Sequence, residues 1–303
     1  MRKKLLLLGA FGMLTTATLC AQEFHLQPTP QEYITQKDSV DIPRQYQILS
    51  GNSVQDGPAL PLLRSLMPEE VLGASFRVYI GVKGDKIIKK YQHRIPRKSE
   101  GYFLKIEKDC IVIAGADERG AYYGVQTLAQ LLALDKLPLA EVTDYPDVPY
   151  RGVVEGFYGA PWSQEACIRQ LDFYGRNKMN VYIYGPKDDP YHRTPNWRKP
   201  YPAREGEELK VLVNRAKENN VIFYWAIHPG QDIRWNEEDR SLLLQKFESM
   251  YQLGVRGFAV FFDDISGEGT KADKQAELLN YIDDHFVKVK RDVAPLILCP
   301  TEY

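Results

Sequence analysis

One apolar run in the chain ends abruptly in two adjacent carboxylates, in the stretch Gly257-Phe258-Ala259-Val260-Phe261-Phe262-Asp263-Asp264-Ile265-Ser266-Gly267. A continuous apolar run of this length is typical of a strand buried on both faces of a parallel sheet. An α/β barrel carries its chemistry at the carboxyl ends of such strands. The stretch therefore predicts a buried strand that delivers Asp263 and Asp264 to a site.

The two carboxylates share one pocket only if the strand has already ended. Neighbouring side chains of a strand point to opposite faces, so the backbone has to turn at this point. The small polar residues Ser266-Gly267-Glu268-Gly269 favour such a turn. The alternative is that Asp263 and Asp264 are ordinary loop residues, one of which caps a helix.

The second half of the chain alternates short apolar strands with helical stretches, after the proline-rich connection at 144–149. This alternation indicates a parallel sheet or barrel. We predict five strands at 152–155, 180–184, 221–227, 257–262 and 295–299, whereas a complete barrel needs eight strands and about 250 residues. We therefore expect an α/β protein in which a small N-terminal α/β domain precedes a (β/α)8 TIM-type barrel, truncated after about the fifth strand. An open five-stranded sheet is the alternative.

The predicted domains are a signal peptide at 1–21, an α/β domain at 22–146 and an incomplete barrel at 147–303. In the first domain, residues 101–106 and 110–115 read as a hairpin, and 121–134 as an amphipathic helix. This region contains no paired catalytic groups, and we interpret it as a packing domain.

The N-terminus of the chain predicts the localisation of the protein. A basic start, an apolar segment too short to span a membrane and a small residue at Ala21 predict a cleaved signal peptide. We therefore expect a periplasmic or secreted protein, with lipidation at Cys20 as the weaker alternative.

The 39 basic residues nearly balance the 40 acidic ones, so the composition does not show the excess of basic residues that is typical of a nucleic-acid-binding protein. Cys110, Cys167 and Cys299 are too sparse for a disulfide framework or a structural zinc site, and we expect Cys110 and Cys167 to be buried free thiols.

Polar and aromatic side chains follow each predicted strand of the second half. They are Glu155, Tyr158, Lys187, Asp188, His228, Asp263, Asp264, Glu302 and Tyr303. Aromatic rings around carboxylates suit a sugar, and paired carboxylates suit glycoside hydrolysis. An adjacent pair fits best a mechanism in which a 2-acetamido group of the substrate is the nucleophile. Taken singly, Glu155 reads as a paired buried acid, His228 as a loop residue and Lys187 as a solvated surface partner of Asp188. A metal site from Asp263, Asp264 and His228 has no supporting ligand spacing.

Three motifs carry a resemblance to a known family: Arg151–Gly159 (RGVVEGFYG), Tyr184–Tyr191 (YGPKDDPY) and Phe261–Ile265 (FFDDI). They resemble the family 84 glycoside hydrolases, bacterial relatives of the eukaryotic O-GlcNAcase with β-N-acetylglucosaminidase activity. The resemblance extends from about Gln22 onward. It implies a retaining enzyme that releases terminal β-linked N-acetylglucosamine through an oxazoline intermediate.

The resemblance also implies a role for individual residues. Asp263 would orient and polarise the acetamido nitrogen, and Asp264 would be the general acid and then the base. The implied substrate-binding residues are Gly156, Tyr158, Lys187, Cys299 and Tyr303. No metal and no cofactor is implied; the implied partners are N-acetylglucosamine-containing glycans or glycoproteins, with no nucleic acid and no stable membrane span. The family's barrel continues beyond this chain and carries further sugar-binding residues there. The alternatives are a hyaluronidase-like specificity and a non-catalytic carbohydrate-binding fragment.

Overall fold

The computed structural model describes residues 25–67 and 69–302. The predicted signal peptide at 1–21, the candidate lipidation site Cys20 and the predicted sugar ligand Tyr303 lie outside these residues. The described chain contains two sheets, one in each half of the sequence, and each sheet is covered by helices. The predicted α/β architecture is therefore confirmed.

The first sheet is mixed and has six strands in the order β1-β6-β4-β5-β3-β2. Its strands are β1 (Glu32–Val40), β2 (Gln47–Ser50), β3 (Arg77–Val82), β4 (Tyr102–Ile106), β5 (Cys110–Gly115) and β6 (Leu137–Asp144). The predicted hairpin is confirmed, since β4 and β5 pair antiparallel with Leu104 opposite Ile113. The parallel pairs β2–β3 and β3–β5 complete the α/β character of this half.

Two helices, α1 (Ala59–Leu66) and α2 (Glu118–Leu132), pack on the first sheet. Asp117 caps α2, because its side chain accepts a hydrogen bond from the Gly120 N–H at 2.9 Å. The buried face of α2 includes Val125, Leu128 and Leu131, which form one core with the sheet. Short 3₁₀ segments lie at Asn52–Val54 and Lys86–Arg94. Cys110 is only partly buried, so the prediction that this thiol is buried was too strong.

The second sheet has five strands, all parallel, in the order β11-β10-β9-β8-β7. The strands are β7 (Gly152–Glu155), β8 (Val181–Tyr184), β9 (Ile222–Ile227), β10 (Gly257–Phe261) and β11 (Ile297–Cys299). Ala259 in the centre of β10 pairs with Ala226 on one side and Ile297 on the other. Each parallel connection runs through a helix, as in a TIM-type barrel. Within the described residues, β7 and β11 each pair on one side only, so the sheet is the open half of a barrel.

The helices of this half are α3 (Gln164–Arg176), α4 (Ala203–Glu218), α5 (Glu237–Gln252) and α6 (Ala272–Ile282). The sequence predicts an N-cap at Ser163, and Ser163 does cap α3 by accepting a hydrogen bond from the Ala166 N–H. Asn236 caps α5 by accepting a hydrogen bond from the Asp239 N–H. The sequence predicts a last helix from about Ala272 to Arg291. In the structure α6 ends at Ile282 and is followed by a single π-helical turn over Asp283–Val287. A 3₁₀ turn at Gly267–Thr270 follows the strand that carries the two carboxylates.

The two faces of the parallel sheet differ in the side chains they bury. Large aromatic residues fill the space between the strands and the helices, where Phe247 of α5 stacks on Phe258 of β10 with ring centroids 4.8 Å apart. The opposite face is lined by a smaller cluster centred on Ala226, Ala259 and Phe261. This second face is the one that a barrel turns inward.

Two buried ionic contacts join the halves of the chain. Lys178, in the turn after α3, donates through Nζ to Asp144 Oδ2 and to the Tyr102 hydroxyl, both at 2.8 Å. Arg151, just before β7, donates through Nη2 to Glu100 Oε2 at 2.6 Å. These contacts fix the first strand of the parallel sheet against the N-terminal sheet. Among the described residues, no helix combines the length and the apolar composition needed to cross a bilayer.

Candidate active site

The backbone turns sharply where β10 ends. The strand stops at Phe261, and the next residue, Phe262, donates its N–H to the carbonyl of Cys299 at 2.8 Å. Asp264 then adopts φ +53°, a left-handed conformation that costs a residue with a Cβ roughly 1–2 kcal/mol. The hydroxyl of Thr301 donates to the Phe262 carbonyl at 2.8 Å and holds the turn. This geometry supplies the turn that the sequence required at the two carboxylates.

Asp263 is half-buried and is held by residues from two neighbouring strand ends. Lys187, which follows β8, donates from its buried ammonium to Asp263 Oδ2. His228, which follows β9, lies with Nε2 2.7 Å from the Asp263 backbone carbonyl and 3.5 Å from Oδ1. No hydrogen bond from the described residues satisfies Oδ1, although this atom is buried. Asp263 therefore keeps one buried acceptor atom, Oδ1, that receives no hydrogen bond from the described residues.

The environment of Asp263 sets its charge. Burial alone would raise the pKa of this carboxyl group, but the contacts with His228 and Lys187 outweigh burial and bring the pKa well below its usual range. Asp263 is thus an anion at neutral pH. Its negative charge is matched by an ammonium group that is itself almost fully buried.

Asp264 lies in a different environment from its neighbour. Its side chain is exposed, and its Oδ2 accepts a hydrogen bond from the Tyr158 hydroxyl at 3.0 Å. That hydrogen bond is the main reason why the pKa of Tyr158 is raised. The Tyr158 ring lies 5.8 Å from Lys187 Nζ and is 61% exposed, so Tyr158 forms the rim of the site.

The loops after β7 and β8 are joined beside this rim. The Gly185 N–H donates to the Glu155 carbonyl at 3.0 Å, and the Lys187 N–H donates to the Phe157 carbonyl at 3.1 Å. Gly156 lies in the chain between Glu155 and Phe157, the two residues that accept these hydrogen bonds. Arg193 donates to the Lys187 carbonyl at 2.9 Å and thereby fixes the loop that carries the ammonium group.

Cys299 closes the opposite side of the site at the end of β11. It pairs with Phe261 across the sheet and is partly buried. Burial raises the pKa of its thiol, and the nearby Asp263 carboxylate raises it further. Cys299 is therefore a neutral, weakly polar wall next to Asp263.

Several strand-end residues lie elsewhere. Glu155 is fully buried, accepts the Trp162 N–H at 2.8 Å and is bonded by the Tyr182 hydroxyl, so it is the paired acid that the alternative interpretation describes. Asp188 and Glu302 are exposed. Lys187 is buried and turned inward, which corrects the alternative that it is a solvated partner of Asp188.

The sequence interpretation missed the contribution of the long loop after β8. Arg193 lies 6.0 Å from the Tyr158 ring, and His192 is fully buried with a ring nitrogen 2.7 Å from the Pro186 carbonyl. The only signal for them was the density of proline and aromatic residues in this loop. In the part of the chain that the structure describes, no group of three or more His, Cys, Asp or Glu side chains is arranged to hold a metal ion.

Comparisons with family models cover both halves of the chain. A model described as beta-N-acetylglucosaminidase matches residues 151–303. A model described as glycosyl hydrolase family 20, domain 2, matches residues 23–145. The first match takes in every described candidate residue of the site.

Individual proteins give the same result. The protein O-GlcNAcase of Rattus norvegicus is 37% identical over 158 residues, which are 50% of this chain and 17% of that protein. A beta-hexosaminidase of Vibrio vulnificus is 29% identical over 167 residues, 54% of this chain and 19% of that protein. The chain thus spans less than a fifth of the curated relatives it matches.

The solved structure of CpGH84B has a TM-score of 0.86 to this chain at 37% identity, and the alignment covers 93% of this chain and 51% of CpGH84B. The structure of CpGH84D has a TM-score of 0.81 at 27% identity, covering 91% and 50%. Both alignments therefore include the two sheets of this chain and cover about half of each solved structure. From the family model and these structures together, the chain belongs to the β-N-acetylglucosaminidase family and is an O-GlcNAcase-like member of glycoside hydrolase family 84.

Proposed function

We propose that the protein hydrolyses terminal β-linked N-acetylglucosamine with retention of configuration, using the 2-acetamido group of the substrate as the nucleophile. The observation that carries this proposal is the difference between two adjacent carboxylates. Asp263 is an anion held by a buried lysine, whereas Asp264 is exposed and contacts the Tyr158 hydroxyl. Two carboxyl groups in such different environments are suited to two different roles.

In the first step the acetamido oxygen attacks the anomeric carbon while the glycosidic bond breaks. Asp263 accepts a hydrogen bond from the acetamido N–H, which increases the negative charge on the attacking oxygen and stabilises the positive charge that develops in the ring. The free acceptor of Asp263 and its low pKa both suit this role. The leaving oxygen keeps the electron pair of the broken bond and takes a proton from Asp264.

In the second step Asp264 acts as a base. It removes a proton from a water molecule whose oxygen attacks the anomeric carbon, and the bond between that carbon and the acetamido oxygen breaks. Two inversions at the same carbon leave the β configuration unchanged. The exposure of Asp264 gives both the leaving group and the incoming water access to this carboxyl group.

The remaining residues bind and orient the sugar in this proposal. Gly156 and Lys187 bind hydroxyl groups, and Tyr158 lines the sugar site. Cys299 lies next to Asp263, as a residue in contact with the acetamido group requires. Tyr303 follows the same strand end and hydrogen-bonds near the acetamido oxygen. No cofactor takes part.

The wider assignments rest on the sequence. We propose that residues 1–21 are a signal peptide, that the mature protein is periplasmic or secreted, and that its domains divide near 146 and 147. A binding fragment without turnover is the second candidate, because the chain spans about half of CpGH84B. A hyaluronidase-like specificity is the third.

The test is hydrolysis of a chromogenic N-acetyl-β-glucosaminide by the 303-residue chain and by the full gene product. Turnover by either, with retention observed by NMR of the released sugar, supports the proposal. Binding of N-acetylglucosamine without turnover by both folded proteins would contradict it in favour of the binding fragment. N-acetylgalactosaminides and hyaluronan, assayed in parallel, define the specificity.

A further inference from the structure

A second cleft lies next to the candidate active site. It has a volume of about 290 Å³ and lies between the loops that follow β7 and β8 and the first turns of α3 and α4. We call it the aromatic cleft and define it by Trp162, Tyr191, Tyr201, Asp188, Glu205 and Glu208. Three of these residues are aromatic and three are acidic.

The aromatic rings of the cleft are held in place from behind. The Tyr201 hydroxyl donates to Asp189 at 2.7 Å and accepts the Trp225 Nε1–H at 3.0 Å. The buried ammonium of Lys246 lies 4.2 Å from the centre of the Tyr201 ring. Tyr191 packs on Tyr201 with centroids 5.2 Å apart. The cleft is thus preorganised, which lowers the entropy cost of binding a ligand.

A continuous line of aromatic side chains joins this cleft to the candidate active site. Trp162 contacts Phe157 with ring centroids 5.6 Å apart. Phe157 is 37% exposed and adjoins Tyr158, whose hydroxyl bonds to Asp264. An exposed aromatic surface that is rimmed by polar groups marks a binding surface. Tyr158, Phe157 and Trp162 thus link Asp264 to the aromatic cleft.

The position of Asp264 defines which part of a substrate reaches the cleft. If Asp264 is the general acid, it lies on the side of the leaving oxygen, and the aromatic line starts at Tyr158, whose hydroxyl donates to Asp264. We propose that the aromatic cleft binds a neutral sugar ring in the leaving group of an oligosaccharide substrate. This inference rests on the proposed function and adds a subsite to it.

The chemistry of the cleft favours a neutral sugar over other ligands. Aromatic faces stack on the C–H faces of a pyranose, and the exposed carboxylates of Asp188 and Glu205 accept hydrogen bonds from its hydroxyl groups. The same carboxylates repel an anionic glycan such as hyaluronan. The volume lies at the lower end of small-ligand sites, which suits a single ring. An extended polypeptide binds best along unpaired backbone groups of a strand, and none of the cleft residues lies on an edge strand of the described chain.

The test compares two substrates on Tyr191→Ala in the full gene product. The first is the β-1,4-linked trimer of N-acetylglucosamine, and the second is N-acetyl-β-glucosaminyl fluoride, whose leaving group has no ring. We expect Tyr191→Ala to raise the KM for the trimer roughly three- to tenfold, which is the loss expected for one aromatic contact. The KM for the fluoride should not change. Tyr191→Phe keeps the ring and should behave as wild type. Phe173→Ala removes an exposed aromatic side chain outside the cleft and serves as the matched control.

Each outcome decides the inference. A trimer KM unaffected by Tyr191→Ala overturns the subsite and leaves the proposed function intact. Loss with a glycosylated peptide but not with the trimer overturns the sugar in favour of a polypeptide. If the wild type hydrolyses neither substrate, the proposed function fails, and equilibrium titration with the trimer decides the cleft. If the trimer then binds more weakly to Tyr191→Ala than to Phe173→Ala, the result supports the sugar site in the aromatic cleft. Equal binding of the trimer to the two variants overturns it.

Discussion

Lys187 and Asp263 form an ion pair that joins the ends of two strands that are not neighbours in the sheet, β8 and β10. The lysine is 4% exposed and the carboxylate is half-buried. Together with the contact from His228, this pair lowers the pKa of Asp263 and keeps the carboxyl group ionised. It also places the ammonium group beside the Tyr158 ring, where a sugar is expected to bind.

Replacing Lys187 with methionine should shift the pH dependence of the reaction. The pair lowers the pKa of Asp263, so its loss raises that pKa and moves the acid limb of kcat/KM to higher pH. At neutral pH we expect kcat/KM to fall roughly 100-fold, because a preorganised charge is lost. The measurement is a pH–rate profile with a chromogenic substrate.

The matched control is Lys210→Met, which removes an exposed lysine on α4. It should leave both the rate and the profile unchanged. An acid limb of Lys187→Met at the same pH as the wild type would show that the lysine only binds substrate and does not set the charge of Asp263.

Asp264→Asn should affect substrates according to their leaving group. A sugar or serine leaving group needs a proton, so we expect a loss of roughly 10²- to 10⁴-fold in kcat/KM. A dinitrophenolate leaves without protonation, so its release in the first step should change little. Burst and steady-state kinetics with both substrates measure the two steps.

Asp263→Asn is the companion variant, and it should slow formation of the intermediate for both leaving groups while substrate still binds. Equal losses for both leaving groups in Asp264→Asn would contradict its assignment as the acid. Full activity in both variants would exclude the substrate-assisted mechanism at these residues.

The strands could be predicted from sequence because their cause is local. A run such as Phe258–Phe261 is apolar at every position, which is typical of a strand buried on both faces of a parallel sheet. The helix cap at Ser163 is similarly local. The end of α6 was missed because Asp283 and the residues that follow keep a helical pattern while the backbone changes to a π turn.

The partners of the site residues could not be predicted, because they depend on contacts distant in sequence. Lys187 stands next to Asp188 and Asp189 in the chain and therefore read as a surface pair. In the structure Asp189 is bonded by the hydroxyls of Tyr184 and Tyr201, which leaves Lys187 for Asp263, 76 residues away. Tyr158 and Asp264 are 106 residues apart. The local pattern of apolar and polar residues carries no information about contacts between residues so far apart in the sequence.

Lys178 and Asp144 should couple strongly in the stability of the protein. Both side chains are nearly buried, so Lys178→Met alone leaves a buried carboxylate without its ammonium partner and should cost about 3–5 kcal/mol. The double variant Lys178→Met with Asp144→Leu removes both charges and should recover most of that loss. Urea unfolding of the wild type, the two single variants and the double variant measures the coupling. Additive losses in the double variant would contradict it.

Lys246 should make the protein more stable as the pH rises above 7. Its ammonium is buried among Tyr201, Trp225 and Tyr191, with one hydrogen bond at 2.6 Å to the Lys199 carbonyl. Burial lowers its pKa to about 7, although the charge of Asp189 opposes this shift. Between pH 7 and about 10 the unfolded chain therefore binds a proton that the folded protein does not, and stability increases with pH in that window.

The rise approaches about 1.4 kcal/mol per pH unit for one complete proton difference, before other groups are considered. Urea midpoints from pH 6.5 to 9.5 measure it. Lys246→Met removes the titrating group and should flatten the curve, whereas Lys217→Met, an exposed lysine on α4, should not. The same slope in all three proteins would mean that Lys246 stays charged in the fold. In that case the charged Lys246 ammonium would remain in contact with the rings of Tyr191 and Tyr201, which lie in the same loop as Lys187. Activity should then not depend on the protonation of Lys246.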